Sequence, residues 1–311
     1  MKIYQSIETY VSSSKTVVTI GIFDGVHKGH KRILERLTQS AHSLGCESLV
    51  LTFFPHPKMI LQDASSIQLI NTVAEKQVLL AQTNIDTLVI QPFTHEFSQL
   101  SAEDFVKNVL VDHFNVQKII IGYDHRFGNN RTATIDDLIV FGQQYGFEVE
   151  QISAEEIDDI AVSSTKIRQA ILEGDVTTAN TYLGYPYRLT GSVVKGQQLG
   201  RTIGFPTANI HINESYKLIP KNGVYLVQAQ LENNLVYGMM NIGVRPTVDG
   251  LNRTIEVFFI DYQGDLYNQI LQIDLLSFIR DEQKFESLEA LKHQIENDKA
   301  TAIAYINKAT L

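Results

Sequence analysis

Residues 21–30 read G-I-F-D-G-V-H-K-G-H, and this stretch decides how the first half of the chain folds. A β-branched, apolar run over residues 16–20 leads into it and predicts a buried strand. Apolar residues at helical spacing follow over residues 31–37. A glycine-rich turn brings the backbone close to a ligand, and the helix start offers free N–H groups to an anion. The stretch therefore predicts a phosphate site faced by the imidazoles of His27 and His30.

Taken singly, the residues of this turn have ordinary explanations. Glycines are common at strand–helix turns, and a single histidine at a helix start is usually a capping or solvated residue. Together they favour a ligand site, because open α/β sheets bind ligands at the carboxyl ends of their strands. Neither G-x-x-x-x-G-K-[ST] nor G-x-G-x-x-G occurs in the chain. The H-x-G-H pair instead resembles the signature of nucleotidyltransferases, which transfer a nucleotidyl group from ATP and release pyrophosphate.

Length and composition predict an ordinary globular protein of two domains. The chain has 311 residues, 44% hydrophobic and 20% charged. Its formal net charge of −9 argues against a nucleic-acid-binding surface. Cys46 is the only cysteine, which excludes an internal disulfide and a cysteine-based zinc site. Because no leader-like or long apolar run occurs, we expect a cytoplasmic protein with no membrane partner. We also expect no nucleic-acid partner and a monomer or weak homo-oligomer.

Strand-like and helical patterns alternate from residue 16 to about 152, which predicts a Rossmann-like α/β domain with a parallel sheet. The predicted strands are 16–23, 47–54, 87–91, 118–122 and 147–152, and the predicted helices are 28–43, 72–82, 101–114 and 135–145.

The pattern changes at Gly184, where short alternating segments separated by glycines begin and predict an antiparallel barrel. Its predicted strands are 189–195, 224–231, 236–242, 254–261 and 269–275, and a helix is predicted from residue 287. We therefore expect domains 1–184 and 185–311.

Three loops of the first half carry side chains suited to a nucleotide. Two prolines hold His56 in the turn F-F-P-H-P, although a structural turn explains the pattern equally well. The loop 122–131 places two aromatic residues and two arginines at the sheet edge of the first turn, where they could clamp a flavin or adenine ring. Residues 162–168, V-S-S-T-K-I-R, open a helix with hydroxyls and cations, which fits an oligophosphate better than capping alone.

Two segments of the second half carry candidate groups for ATP chemistry. Residues 200–209 read G-R-T-I-G-F-P-T-A-N. Thr207 and Asn209 offer oxygen ligands that Mg²⁺ accepts, although an ordinary turn entering a strand is the alternative. In T-I-E-V, residues 254–257, the carboxylate of Glu256 lies on an apolar strand, and a surface-facing glutamate stays open as the commoner explanation.

Eight motifs succeed one another along the chain: G-I-F-D-G-V-H-K-G-H, F-F-P-H-P, G-Y-D-H-R-F-G, V-S-S-T-K-I-R, G-R-T-I-G-F-P-T-A-N, N-I-G-V-R-P-T, I-E-V and I-R-D-E-Q-K-F. In this order they resemble the bacterial bifunctional riboflavin kinase/FAD synthetase family from end to end. The resemblance implies an N-terminal FMN adenylyltransferase domain and a C-terminal riboflavin kinase barrel. It implies that riboflavin and ATP give FMN, and that FMN and ATP give FAD and pyrophosphate, with Mg²⁺ as cofactor.

The resemblance also implies a role for each residue of these motifs. His27 and His30 would stabilise the ATP phosphates during adenylyl transfer, and Glu256 would be the base that acts on the ribityl 5′-hydroxyl. The implied ATP-binding residues are Gly21, Phe23, Asp24, Ser164, Thr165, Arg168, Gly200, Thr207 and Asn209, of which Thr207 and Asn209 would also bind the metal. The implied flavin-binding residues are Phe54, His56, Asp124, Arg126, Phe127 and Arg280.

Three positions depart from the family pattern, and two alternative functions stay open. Family members commonly have phenylalanine at His125, glycine near Ala133 and arginine at Tyr185; the first two positions bear on FMN or ATP binding and the third on kinase regulation. One alternative is that only one domain is active, and the other is a non-catalytic flavin-binding regulator. The intact H-x-G-H, P-T-A-N and Glu256 count against the regulator.

Overall fold

The computed structural model describes residues 1–11, 14–61, 67–123, 126–129, 132–153, 162–196, 198–247 and 250–309. Its contacts divide the chain into two compact units, Met1–Ser164 and Thr165–Leu311. The first contains a six-stranded sheet and is named the α/β unit, and the second contains a closed barrel and is named the barrel unit.

Six parallel strands form the sheet of the α/β unit. They are β1 (Lys2–Tyr4), β2 (Thr16–Ile20), β3 (Glu47–Phe53), β4 (Thr87–Gln91), β5 (Val116–Gly122) and β6 (Glu148–Ile152), in the spatial order β1-β4-β3-β2-β5-β6. The chain moves outward from β2 through β3 and β4, then returns to β5 on the other side of β2. Open parallel sheets bind ligands at such a reversal. The turn at residues 21–27 leaves β2 at this point.

Helices connect the strands of the α/β unit. They are α1 (Lys28–Leu44), α2 (Pro57–Leu61), α3 (Val73–Ala81), α4 (His95–Ser98), α5 (Ala102–Asp104) and α6 (Ile135–Tyr145), with a 3-10 helix at Ile7–Thr9 and a π-helix at Phe105–His113. The helix predicted at residues 101–114 is therefore mostly π-helical. The long helix α1 ends at Gly45, whose φ of 63° is the left-handed conformation that glycine adopts without a Cβ penalty.

Alternating side chains of the central strands form one core on each face of the sheet. On one face Val18 packs in a cluster with Leu110 of the π-helix, and on the other Val17 packs with Leu34 and Leu37 of α1. All five side chains are fully buried. Because burying each one contributes about 1.5–3 kcal/mol, the two cores fix the strand ends from which the site turns leave.

The barrel unit closes six antiparallel strands on themselves. They are β7 (Tyr187–Val194), β8 (Ala208–His211), β9 (Gly223–Leu231), β10 (Asn234–Thr247), β11 (Gly250–Phe259) and β12 (Ile270–Arg280), in the order β10-β11-β8-β7-β12-β9. Its helices are α7 (Ser164–Glu173, whose first residue belongs to the α/β unit), α8 (Val176–Leu183), α9 (Leu199–Thr202) and α10 (Leu288–Ala309). Helix α10 packs Ala302 against Val224 and Leu226 of β9.

The predicted fold class, a Rossmann-like α/β domain followed by an antiparallel barrel with a C-terminal helix, is confirmed. Sequence reasoning missed the edge strand β1, which has 3 residues, and β8, which has 4 residues. The contacts group α8 with the barrel unit, whereas the predicted boundary at residue 184 assigns it to the first domain; that boundary stays a prediction. No helix in the described ranges combines the length and the apolar composition needed to cross a membrane.

Candidate active sites

The turn after β2 contains backbone conformations that side chains rarely adopt. The angle φ is 52° at Phe23, 89° at Gly25 and 33° at Val26. A left-handed residue other than glycine costs about 1–2 kcal/mol, so the turn persists only because its surroundings hold it. Asp24 is one such restraint, since its buried carboxylate accepts the backbone N–H groups of residues 70–71 at 2.9 and 3.3 Å.

His27 and His30 lie together at the start of α1, as the sequence predicts. Their rings are stacked, with centroids 3.6 Å apart and an interplanar angle of 15°. Nδ1 of His27 accepts the backbone N–H of His30 at 3.3 Å and so caps the helix. Because this nitrogen accepts, a neutral His27 carries its proton on Nε2 and can donate from there. The ring of Phe23 meets that of His30 at a centroid distance of 5.1 Å.

Burial keeps both imidazoles neutral at pH 7. His27 is 6% exposed, and burial lowers its pKa to about 4. Burial also lowers the pKa of His30 well below its usual value, and electrostatic interactions with His27 and Lys76 lower it further. Nδ1 of His30 is buried and meets no hydrogen-bond partner among the described residues. The pair can therefore donate hydrogen bonds to phosphate oxygens without carrying positive charge.

Lys76 supplies a positive charge at this turn, and sequence reasoning missed it. The side chain is 6% exposed, and its ammonium donates to the carbonyl oxygen of Ile22 and to Oγ1 of Thr52, both at 3.1 Å. Burial lowers the pKa of Lys76 to about 8, and the carboxylate of Asp24 opposes that shift. Helical spacing offered a signal, because Lys76 lies on the same face of α3 as the buried Leu80.

The predicted triphosphate residues at the start of α7 fall in different units. Ser164 belongs to the α/β unit, and its hydroxyl donates to the backbone carbonyl of Asp24 at 2.9 Å. Thr165 is exposed and Arg168 is half-buried, and both are grouped with the barrel unit. Their predicted role in triphosphate binding stays a prediction.

A cavity of about 480 Å³ in the α/β unit borders the turn at Gly21. Its aromatic lining consists of Phe53, Phe93, Phe97, Phe105 and Phe127, and its polar lining of His56, Lys58, Ser98 and Arg126. Aromatic walls suit a planar heterocycle, and lysine and arginine suit an anionic group. The cavity has the chemistry of a site for a phosphorylated ring system.

The predicted flavin residues of the α/β unit are only partly brought together. His56, Arg126 and Phe127 line the cavity. Phe54 instead packs into the core cluster of α1, and Phe53 takes the place at the cavity. Successive strand residues point to opposite faces, so only one of two adjacent phenylalanines can face the cavity.

The structure describes only part of the loop at residues 122–131. Asp124 lies outside the described residues, and so does His125, which differs from the family pattern. Ala133, which also differs from the family pattern, is buried, and its backbone pairs with that of Phe127.

In the barrel unit the structure brings together Thr207, Asn209 and Glu256, three of the predicted site residues. Oγ1 of Thr207 donates to Oε2 of Glu256 at 3.2 Å, and Glu256 of β11 is the register partner of Asn209 in β8. Glu256 is half-buried and lies on the face of β11 opposite the buried Ile255 and Val257. Hydroxyl, amide and carboxylate oxygens are the ligands that Mg²⁺ prefers, so this donor set fits the expected metal.

A second cavity, of about 370 Å³, lies beside this cluster in the barrel unit. Thr207 lines it together with Arg201, Pro206, Tyr262, Asp265 and Tyr267, of which sequence reasoning singled out only Thr207. Gly200 shapes the adjoining loop, because a Cβ there would stand 2.1 Å from the carbonyl oxygen of Phe205. A Cβ at Gly196 would stand 2.3 Å from the side-chain amide nitrogen of Asn209, so that side chain would have to move. These two glycines allow a close approach to the backbone of Phe205 and to the side chain of Asn209.

Arg280, a predicted flavin residue, is engaged by the C-terminal helix. Its guanidinium forms an ion pair with Asp298 of α10 at 2.8 Å and lies 5.7 Å from the ring centroid of Phe285. Asp298 is 4% exposed. The contacts show a structural link between β12 and α10, and the flavin role stays a prediction.

The α/β unit has the fold and the histidine turn of a nucleotidyltransferase, and the barrel unit presents oxygen ligands beside a cavity, as a kinase of small hydroxyl substrates does. Models of two protein families match the chain, FAD synthetase over residues 10–166 and riboflavin kinase over residues 183–306. The chain belongs to the family of bifunctional riboflavin kinase/FMN adenylyltransferases, which confirms the resemblance.

Relatives of that description match along nearly the whole chain. The bifunctional riboflavin kinase/FMN adenylyltransferase of Listeria monocytogenes is 37% identical over 94% of this chain and 93% of its own length. That of Escherichia coli strain K12 is 36% identical over 92% of this chain and 91% of its own length. A crystal structure of a Streptococcus pneumoniae protein described as a macrolide-efflux protein is 31% identical, covers 97% of this chain and 98% of its own, and has a TM-score of 0.87.

Proposed function

We propose that this chain phosphorylates riboflavin to FMN in the barrel unit and transfers an adenylyl group from ATP to FMN in the α/β unit. The observation that carries the proposal is that the histidine pair and the Thr207–Glu256 cluster lie in different halves of the chain, each of which is matched by one of the two families. A protein that only bound flavin would not require the histidine pair and the Thr207–Glu256 cluster together.

Adenylyl transfer requires an oxygen of the FMN phosphate to attack the α-phosphorus of ATP as pyrophosphate leaves. We assign the aromatic cavity to the flavin ring and its arginine and lysine to the FMN phosphate. The Nε2–H of His27 donates to an α-phosphate oxygen, where negative charge grows in the transition state. His30 stacks against His27 and holds its ring in place. Two neutral imidazoles suit this task, because they need no counter-charge before ATP arrives.

Riboflavin phosphorylation requires the ribityl 5′-hydroxyl to lose a proton as it attacks the γ-phosphorus of ATP. We assign Glu256 as the base, oriented by the hydrogen bond from Thr207. Thr207 and Asn209 would hold Mg²⁺, which neutralises phosphate charge when bound. The cavity lined by Tyr262 and Tyr267 would receive the nucleotide.

The partners follow from this chemistry. We propose riboflavin, FMN and ATP as substrates and FMN and FAD as products, with no nucleic-acid or membrane partner. We further propose that the protein works in the cytoplasm as a monomer or weak homo-oligomer.

The experiment is to incubate the purified chain with ATP and Mg²⁺ and separate the flavins by chromatography. Riboflavin as substrate is expected to give FMN and then FAD, and supplied FMN is expected to give FAD. FMN alone or FAD only from supplied FMN would show that one half is inactive. Neither product would favour a non-catalytic flavin-binding protein.

A further inference from the structure

Lys76 is a buried charged group that the proposed adenylyl transfer does not yet use. It lies on α3, more than forty residues after the histidine turn, and none of the motifs includes it. A buried ammonium is costly unless acceptors and a counter-charge compensate it. Its environment therefore shows what the fold gains by keeping it.

The ammonium is anchored to the first residues of the turn. It donates to the carbonyl oxygen of Ile22 and to Oγ1 of Thr52, and the Thr52 hydroxyl itself donates to the same carbonyl at 3.1 Å. Ile22 directly precedes Phe23, the first left-handed residue of the turn. Lys76 and Thr52 thus hold the turn at the point where its backbone leaves the ordinary conformation.

The segment that carries Lys76 also forms hydrogen bonds with a second residue of the turn. Just before α3, the backbone N–H groups of residues 70–71 bind the carboxylate of Asp24. Helix α3 itself is fixed by a capping box, in which Thr72 and Glu75 exchange hydrogen bonds. One rigid segment therefore holds both Ile22 and Asp24, and the ring of the intervening Phe23 packs against His30.

Resting on the proposed function, we infer that Lys76 is a positioning residue of adenylyl transfer: its ammonium holds the histidine turn in its catalytic geometry and places a positive charge behind the phosphate site. The groups that face it are Thr52 from β3, Ile22 and Asp24 from the turn, and His30 from α1. Of these, Asp24 is the counter-charge and His30 stays neutral.

The inference predicts that kcat and KM respond differently in the Lys76→Met variant, which keeps an unbranched side chain and removes the ammonium with its charge and donors. We expect kcat for FAD synthesis to fall by about 10²-fold, with the KM for FMN changed much less, because a displaced histidine turn impairs the reaction geometry rather than the flavin cavity. Thr52→Val, which removes one anchor and keeps the charge, should cause a smaller loss. Riboflavin phosphorylation by the same variants measures the active barrel unit, and hydrogen-exchange protection of the α/β unit shows whether that unit is folded.

The matched control is Lys107→Met, the same chemical change at an exposed lysine of the α/β unit, which should leave both activities unchanged. Full FAD synthesis by Lys76→Met would overturn the inference. If the unsubstituted chain makes no FAD from FMN, the proposed function itself fails and the inference falls with it.

A pH profile tests the inference without depending on a folded variant. Because the pKa of Lys76 is about 8, raising the pH above that value removes the ammonium charge, and FAD synthesis by the unsubstituted chain should decline there. The residual activity of Lys76→Met should lack this decline, whereas Lys107→Met should keep it. Should Lys76→Met fail to fold, Thr52→Val decides, because it removes one anchor of the ammonium: a loss of FAD synthesis with riboflavin phosphorylation retained supports the inference, and unchanged FAD synthesis overturns it.

Discussion

The two units hold the groups that we propose handle phosphate in opposite ways. The α/β unit places His27, His30 and Lys76 at a turn of unusual backbone conformation, with His27 and Lys76 buried and His30 half-buried, and desolvation lowers the pKa of all three. The barrel unit carries the half-exposed Thr207 and Glu256 on or beside regular strands. The first site therefore depends on tertiary packing for its electrostatics, whereas the second presents oxygen atoms that a metal ion can organise.

The largest effect is expected for Glu256→Gln in the barrel unit. The amide keeps the size of the side chain but cannot accept the ribityl proton, so FMN formation should fall by about 10²–10⁴-fold. The same protein should convert supplied FMN to FAD at the parental rate, as measured by flavin chromatography.

Glu296→Gln, at an exposed glutamate of α10, is the matched control and should alter neither activity. Unchanged FMN formation by Glu256→Gln would leave Glu256 an ordinary outward-facing strand residue. Loss of both activities would point to misfolding or a shared site.

A second prediction concerns His27→Asn in the α/β unit. Asparagine preserves an acceptor at the helix N-cap, so the substitution removes the imidazole with little cost in helix stability. FAD formation should fall by about 10²-fold, in line with the loss of one transition-state donor, while FMN formation continues.

His42→Asn changes an exposed histidine at the other end of α1 and serves as the control. Parental FAD synthesis by His27→Asn would show that His27 acts as a cap only.

A third prediction distinguishes structure from flavin binding at Arg280. Asp298→Asn breaks a buried ion pair between β12 and α10 and should destabilise the barrel unit by about 3–5 kcal/mol, measured by urea unfolding. Asp261→Asn breaks the exposed pair with Lys299 and should cost less than about 1 kcal/mol. If Asp298→Asn raises the KM for riboflavin with stability unchanged, the pair serves the flavin site rather than the helix.

The smallest effect is expected from pH on the stability of the α/β unit. The folded pKa of His27, about 4, lies below its unfolded value of about 6.5, so the unfolded chain binds more protons between these values. The free energy of unfolding should therefore decrease as the pH falls below 6.5, by about 1 kcal/mol at pH 5.5 from this group. His27→Asn should show a shallower decrease in hydrogen-exchange protection of the α/β unit, and parallel pH curves would contradict the assignment.

Several features of the sites were predictable because their signals are local. The H-x-G-H turn, the P-T-A-N segment and Glu256 each fall within a few residues of a recognisable strand, and the structure brings Thr207 together with Glu256 and His27 together with His30. The pattern is ambiguous at F-F-P-H-P, because adjacent phenylalanines look alike in sequence, and the structure places Phe53 rather than the predicted Phe54 at the cavity.

The sequence by itself determined the two-part architecture and the order of the chemistry along the chain, because hydrophobic periodicity and turn residues act over short distances. Only the tertiary structure decided that the two histidines are neutral, that Lys76 lies beneath their turn and that Arg280 pairs with Asp298. Each of these depends on burial or on partners distant along the chain. Such contacts form when separate elements pack together, so no local pattern encodes them.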